Sequence, residues 1–260
     1  MTHIRLLLLI FVPGIHKLSH SMNNSIRGTL YLIPIPIAEG QLNTIPESVR
    51  QLTVRLKYFF VENVRTARRY LKQLDKSIHI DSIQFSEINH RHPADLNLLQ
   101  EWLEAGHEVG VMSEAGCPGI ADPGSVLAAK AQDMGAPVAP QVGPSSVFLA
   151  LMGSGFNGQS FRFGGYLPVK NPLRQKALRQ MEDWSVQRDE TQIFIETPYR
   201  NQQLIEDLIQ YCKGTTRLCI AANMTAENQF IKTLTLTEWK KHYKLLDLQK
   251  TPCIFLVYAG

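Results

Sequence analysis

Short apolar runs rich in β-branched and aromatic residues alternate with longer amphipathic segments from Thr29 to Met134, and no other feature constrains the fold as tightly. Thr29–Ile35, Tyr58–Val61 and Glu108–Met112 read as strands, with Ile83–Ile88 as an edge strand. Between them, helices are expected at Ser48–Leu56, Thr66–Leu74, Pro93–Ala105 and Ser125–Met134. Pro46 and Glu47 suit a first helical turn, Pro93 a helix start, and Gly106 and Gly135 helix ends. Strands alternating with helices in this way build a mainly parallel sheet covered on both faces.

The pattern changes after Gly153–Gly158, which reads as a linker or turn. Strands are expected at Phe161–Tyr166, Gln192–Ile195, Leu218–Ala221, Phe230–Leu236 and Cys253–Tyr258, with helices near Pro172–Trp184 and Tyr199–Cys212. Fewer helical crossovers imply a mixed, partly antiparallel sheet. The expected architecture is therefore α/β with two lobes: residues 28–139 around a mainly parallel sheet and residues 140–260 around a mixed one. A chain of 260 residues, 44% hydrophobic and 19% charged, has the material for two such cores.

Ahead of the first strand, Arg5 precedes the apolar run Leu6–Val12, far short of the ~20 residues needed to cross a bilayer. No small-residue cleavage site follows, so residues 1–27 are expected to be an extension outside the fold, with a secretion signal as the second reading. The four cysteines, Cys117, Cys212, Cys219 and Cys253, form no C-x-x-C pair and no Cys/His cluster of zinc spacing. Reduced thiols in a cytoplasmic protein, and no metal site, are the expectation.

In a parallel sheet, ligands bind beyond the carboxyl ends of the strands. Four loops of unusual composition occupy such places. Pro34–Gly40 carries two prolines that stiffen it and remove amide donors, so it suits a wall rather than a phosphate cradle. Ser113–Gly124 packs three glycines and two prolines into twelve residues, which allows a ligand to approach the main chain. Val142–Ser146 opens a helix, and its serines read equally well as caps. Glu196–Arg200 ends a strand of the second lobe; read alone, Arg200 is a surface arginine. The patterns of a P-loop, of a dinucleotide-binding G-x-G-x-x-G and of a G-x-S-x-G nucleophile elbow are all missing. The net charge of +4 permits a polyanionic partner without requiring one. Its placement says more: Arg65, Arg68, Arg69 and Lys72 form one stripe on the Thr66–Leu74 helix, opposite Ala67, Tyr70, Leu71 and Leu74.

Taken in order, the loops Ser113–Gly124, Gly143–Ser145 with Phe161–Pro168, and Glu196–Arg200 resemble those of the tetrapyrrole methylase superfamily. Within it the chain is most similar to bacterial enzymes that methylate a cytidine ribose 2′-hydroxyl of 16S ribosomal RNA, and the resemblance runs from about Gly28 to Val257. It implies a homodimer with S-adenosylmethionine folded into the cleft between the lobes. Carried over residue by residue, the cofactor contacts would be Pro36, Ile37, Glu114, Ala115, Gly116, Ile120, Ser145, Ser146, Ile195, Met224 and Thr225. Glu62 would be a base or orienter, with Arg65 and Arg200 as cations that position the substrate.

The family pattern is not kept throughout. Its Ala-Glu-Asp-Thr-Arg stretch reads Val61-Glu62-Asn63-Val64-Arg65 here, and its Arg-Glu-Leu-Thr-Lys stretch reads Ala222-Asn223-Met224-Thr225-Ala226. The function expected is methyl transfer from S-adenosylmethionine to ribosomal RNA in the cytoplasm, without membrane or metal. The alternatives are a divergent paralogue with another target, a small-molecule, tetrapyrrole-like methylase, and a cofactor-binding protein without catalysis.

Overall fold

The structure, a computed structural model, describes residues 27–89 and 91–260. The expectation for the N-terminal extension falls, except for Arg27, outside the described residues. The first lobe runs β1 (Thr29–Leu32), α1 (Glu47–Arg55), β2 (Tyr58–Val61), α2 (Val64–Leu74), β3 (Gln84–Glu87), α3 (Leu96–Glu104), β4 (Glu108–Met112), α4 (Ser125–Asp133) and β5 (Val138–Pro140). Its sheet has the order β3-β2-β4-β1-β5, and every pairing is parallel. The second lobe follows with α5 (Ser146–Ser154), β6 (Phe161–Tyr166), α6 (Leu173–Arg188), β7 (Thr191–Ile195), α7 (Asn201–Tyr211), β8 (Arg217–Ala222), β9 (Phe230–Thr235), α8 (Leu236–His242) and β10 (Cys253–Tyr258). Its sheet order is β6-β7-β10-β8-β9, parallel only between β6 and β7.

The period-two alternation of the strands divides each lobe into two cores. In the first lobe Phe59 and Val61 pack with Val49 of α1 and Leu71 of α2, whereas Phe60, Val109 and Val111 pack with Leu99 of α3 and Leu127 of α4. In the second, Phe194, Ile220 and Phe255 meet Leu178, Leu204 and Trp239, while Ile193, Cys219, Ala221 and Leu256 meet Val147, Ala150 and Leu151 of α5. Ile37, from the loop after β1, packs on this last cluster and so ties the lobes together.

Several boundaries differ from the sequence reading for local reasons. β1 ends at Leu32 because Pro34 and Pro36 have no amide to donate, and Ile35 keeps only an isolated bridge to Gly116. α2 begins at Val64, since the Asn63 side chain accepts from the amides of Arg65 and Thr66 at 3.0 and 3.2 Å. Pro93 does not start α3; the Asp95 carboxylate caps it instead, accepting from Asn97 and Leu98 at 3.1 and 2.9 Å. Gly153 belongs to α5, where an added side chain would come within 2.7 Å of Ile231, and Gly155 closes the helix at φ +73°. The expected strand Phe230–Leu236 stops at Thr235, whose hydroxyl and Glu238 form a capping box that opens α8.

Candidate active site

β1 and β4 lie side by side, and their outgoing connections lead in opposite directions along the sheet: β1 to β2, β4 to β5. At such a switch point an α/β fold opens a crevice. The loops that leave these strands are stitched together by paired backbone bonds, Ile35 N–Gly116 O at 3.0 Å and Gly116 N–Ile35 O at 3.1 Å. Gly116 adopts φ +72°, a conformation that side chains disfavour. The loop before α5 joins them, because Gly143 sits directly on the Pro34 ring and Cys117 Sγ donates to Pro144 O at 3.3 Å. Three loops far apart in sequence thus form one rigid floor.

Above this floor lies a cleft of about 310 Å³ between the lobes. The first lobe contributes Glu62, the stretch Ser113–Cys117 and Ile120–Asp122; Ser145, Ser146 and Val147 come from the start of α5. Phe163, Tyr166, Ile195 and Ile254 close it from the second sheet. Asp122 organises the long loop: one carboxylate oxygen accepts from Gly119 N and Gly124 N, both at 2.7 Å. Burial raises its pKa above the ordinary carboxylate value, against the opposing pull of those two amides and Ser113. Its other oxygen is buried without a hydrogen-bond partner. Ser145 occupies the cap position of α5 but makes no capping hydrogen bond, so its hydroxyl is not consumed by the helix.

A second cavity of about 250 Å³ adjoins the first. The Ile35–Gly40 loop forms one side, with Thr66, Arg69, Tyr70 and Gln73 of α2 on the other. Glu114 lines both cavities. Its backbone amide donates to Glu62 Oε2 at 2.6 Å, and its carboxylate accepts from Thr66 Oγ1 at 3.3 Å.

Of the residues expected from sequence, Glu62, Glu114, Ala115, Gly116, Ile120, Ser145, Ser146 and Ile195 meet in the cleft, and Pro36 and Ile37 line the adjoining cavity. Met224 is buried in the apolar cluster shared with Ile195 and Ile254. Thr225 follows it at φ +70°, with its hydroxyl buried and unpartnered. Arg65 stands exposed in the first turn of α2, outside both cavities. Arg200 is drawn elsewhere: its guanidinium binds Glu196 Oε1 at 2.7 and 2.9 Å. Glu196 also accepts from Arg174 at 3.0 Å, and Arg174 in turn pairs with Asp207. Burial alone would raise the Glu196 pKa, but Arg200, the Thr197 amide and Arg174 hold it below the usual value.

Asp122, Cys117, Phe163, Tyr166 and Ile254 belong to the cleft and were not among the expected contacts. The segments Ser113–Gly124 and Phe161–Pro168 were signals for the first four; Ile254 comes from strand register and long-range packing. The departures from the family pattern also find local explanations. Asn63 caps α2 and Val64 packs into the first core, so neither faces the cleft. Asn223 and Thr225 hold left-handed conformations in a tight turn after β8.

A cleft at a sheet switch point, walled by a second mixed sheet, defines a two-lobed α/β enzyme. The chain belongs to the family of tetrapyrrole (corrin/porphyrin) methylases, which it matches over residues 43–240, and it is a methyltransferase. Membership implies S-adenosylmethionine as methyl donor. The ribosomal RNA small subunit methyltransferase I of Vibrio cholerae is 29% identical over 209 residues, covering 80% of this chain and 69% of that protein. The protein of the same name from Micromonospora olivasterospora is 31% identical over 202 residues, covering 78% and 61%. Among solved structures, uroporphyrin-III-C-methyltransferase from Thermus thermophilus shares the fold at a TM-score of 0.54 and 15% identity, over 90% of this chain and 93% of that one.

Proposed function

We propose that this protein transfers a methyl group from S-adenosylmethionine to a ribose 2′-hydroxyl of small-subunit ribosomal RNA. The observation that carries this reading is where the charges lie. The cleft is lined by Glu62, Glu114 and Asp122 and by no lysine or arginine, whereas Arg65, Arg68, Arg69 and Lys72 stand exposed on α2 beside it. Carboxylates and apolar walls suit a cationic nucleoside, and a basic rim suits a polyanion. A polycarboxylate of the tetrapyrrole kind would need several cations converging on it, whereas Arg69 is the one lysine or arginine that lines the adjoining cavity, which weighs against the small-molecule alternative.

The residues present fit such a donor. Ile120, Val147, Phe163 and Ile195 offer apolar walls, and Ser145 and Ser146 offer hydroxyls. Ala115 is exposed beside Gly116 at the floor of the cleft, and the Asp122 carboxylate lines the same cleft. Pro36 and Ile37 bound the site from the side, and Met224, with Thr225 next to it in the turn after β8, packs in the cluster that holds Ile195 and Ile254 of the cleft wall. Bound there, S-adenosylmethionine supplies an electrophilic methyl on a sulfonium sulfur. Displacement at such a methyl gains most from alignment, which the stitched loops supply. Glu62 holds the Glu114 backbone, Arg65 meets RNA phosphate at the rim, and Arg200 acts through Glu196 to hold the turn after β7.

The working unit is a homodimer. Phe148 and Met152, one turn apart on α5, form an exposed apolar patch with Phe161, with Met152 79% exposed and the two phenylalanine rings 5.9 Å apart. Residues 28–139 and 140–260 are its two lobes, and the cytoplasm, where ribosomal RNA is found, is its place of action. No helix among the described residues is long and apolar enough to cross a membrane.

Mass spectrometry of small-subunit RNA from cells with and without the protein tests this function. A ribose methyl should vanish on deletion and return with the wild-type protein but not with Glu62→Ala. Identical spectra in all strains would refute it.

A further inference from the structure

Methyl transfer needs two ligands to meet, and two cavities meet here. The first, between the lobes, is assigned above to the donor. The second, between the proline loop and α2, has no role in holding the donor beyond its Pro36–Ile37 wall. Glu114 is the residue that belongs to both.

We propose that the second cavity receives the acceptor nucleotide, with the Glu114 carboxylate taking the proton from the attacking hydroxyl and Arg69 gripping an adjacent phosphate. This rests on the reading of the protein as an RNA methyltransferase and assigns roles within it. Three observations support the assignment. Glu62 has one carboxylate oxygen engaged at 2.6 Å by the amide of Glu114, which makes Glu62 a positioning residue for its neighbour. The Glu114 side chain is exposed at the junction and steadied by the Thr66 hydroxyl at 3.3 Å. Arg69 is exposed, lines the same cavity, and forms none of the ion pairs found among the described residues.

The step balances without any further reactant. The 2′-oxygen gives a lone pair to the methyl carbon, the carbon–sulfur bonding pair leaves with sulfur as a neutral thioether, and the hydroxyl proton passes to Glu114. A ribose hydroxyl is a poor nucleophile until that proton is drawn away, and a positioned base contributes about 10²–10⁴-fold.

The test compares full-length wild-type protein with Glu114→Gln, Arg69→Ala and Arg69→Lys. Calorimetry with S-adenosylhomocysteine, a thioether without the sulfonium charge that the cleft carboxylates suit, should give affinities within about twofold for all four. Anisotropy with labelled small-subunit RNA should show weaker binding for Arg69→Ala and a salt slope shallower by about one, both restored by Arg69→Lys. Methyl transfer to small-subunit particles from cells lacking the protein should show kcat at least ~100-fold lower for Glu114→Gln with KM little changed. Near-wild-type kcat for Glu114→Gln, or an unchanged salt slope for Arg69→Ala, would overturn the proposal. So would a tenfold loss of S-adenosylhomocysteine affinity in Glu114→Gln, which would assign that carboxylate to the donor. Wild-type protein that binds no S-adenosylhomocysteine would instead overturn the functional reading itself, and this assignment with it.

Discussion

Replacing Gly143 by alanine should loosen the floor of the cleft and weaken donor binding together. A methyl group on Gly143 would overlap both Cβ and Cγ of Pro34, with Pro34 Cα a further contact at 3.7 Å. Carbon atoms pack best at about 3.5–4.0 Å, and a proline ring cannot rotate aside, so the two loops must part by roughly 1 Å. Overpacking of this kind costs about 1–3 kcal/mol. For a chain of this size each kcal/mol lowers the Tm by about 2–4 °C, so a fall of about 4–8 °C is expected for a mid-range cost. Gly158→Ala is the matched control: nothing lies within 4 Å of its added carbon, so only the unfolded chain is affected. That effect stabilises by about 0.4–1 kcal/mol. Loops that part this far lose at least one hydrogen bond to the donor, worth about 0.5–1.5 kcal/mol, so S-adenosylhomocysteine affinity should also drop by up to about tenfold in Gly143→Ala and not in Gly158→Ala. Thermal denaturation and titration calorimetry on both variants provide the check. Equal Tm values and equal affinities would refute the close-packed floor.

Other consequences concern regions outside the cleft. Arg174→Met leaves Glu196 with Arg200 and the Thr197 amide, and leaves Asp207 with the Gln203 amide and no cation, both carboxylates being nearly fully buried; it should cost about 3–5 kcal/mol in thermal or chemical unfolding; a loss below 1 kcal/mol would contradict the network. Because the folded pKa of Glu196 is depressed below 4.5, its contribution is complete above that pH and disappears as pH falls through the lower folded value. Glu196→Gln should therefore lose stability at neutral pH and flatten the acid limb of the Tm profile. An unchanged acid limb would count against the ionised carboxylate. Met152→Asp, at a site 79% exposed in the single chain, should leave the far-ultraviolet circular dichroism unchanged while converting a dimer to a monomer in sedimentation analysis; a wild-type monomer would remove the patch from the account.

The fold was legible wherever a local pattern governs. The amphipathic stripe of α2 places Ala67, Tyr70 and Leu71 in the core as the periodicity required, and the period-two strands β2, β4 and β10 are where their apolar runs placed them. β5 was invisible because three residues ending in a proline carry too little pattern, and its place beside β1 depends on a crossover. α8 hid behind an apolar run, although Thr235 and Glu238 at capping-box spacing announced it. The same distinction applies to the site. The glycine- and proline-rich loops marked the cleft because their composition is itself the structural device. The pairing of Arg200 with Glu196, four positions earlier, is local, but the burial of that carboxylate and its sharing with Arg174, 26 positions before Arg200, are long-range and leave no mark in the sequence. Nor does sequence order indicate that Glu114 stands between two cavities. That depends on α2 and the proline loop closing over it.

A crystal structure with S-adenosylhomocysteine bound tests the central claim most directly. The ligand should lie between the Ala115–Gly116 backbone, the start of α5 and Ile195, with its sulfur facing the junction at Glu114. Density for it on any other surface, with the space between the two sheets left empty, would contradict the account.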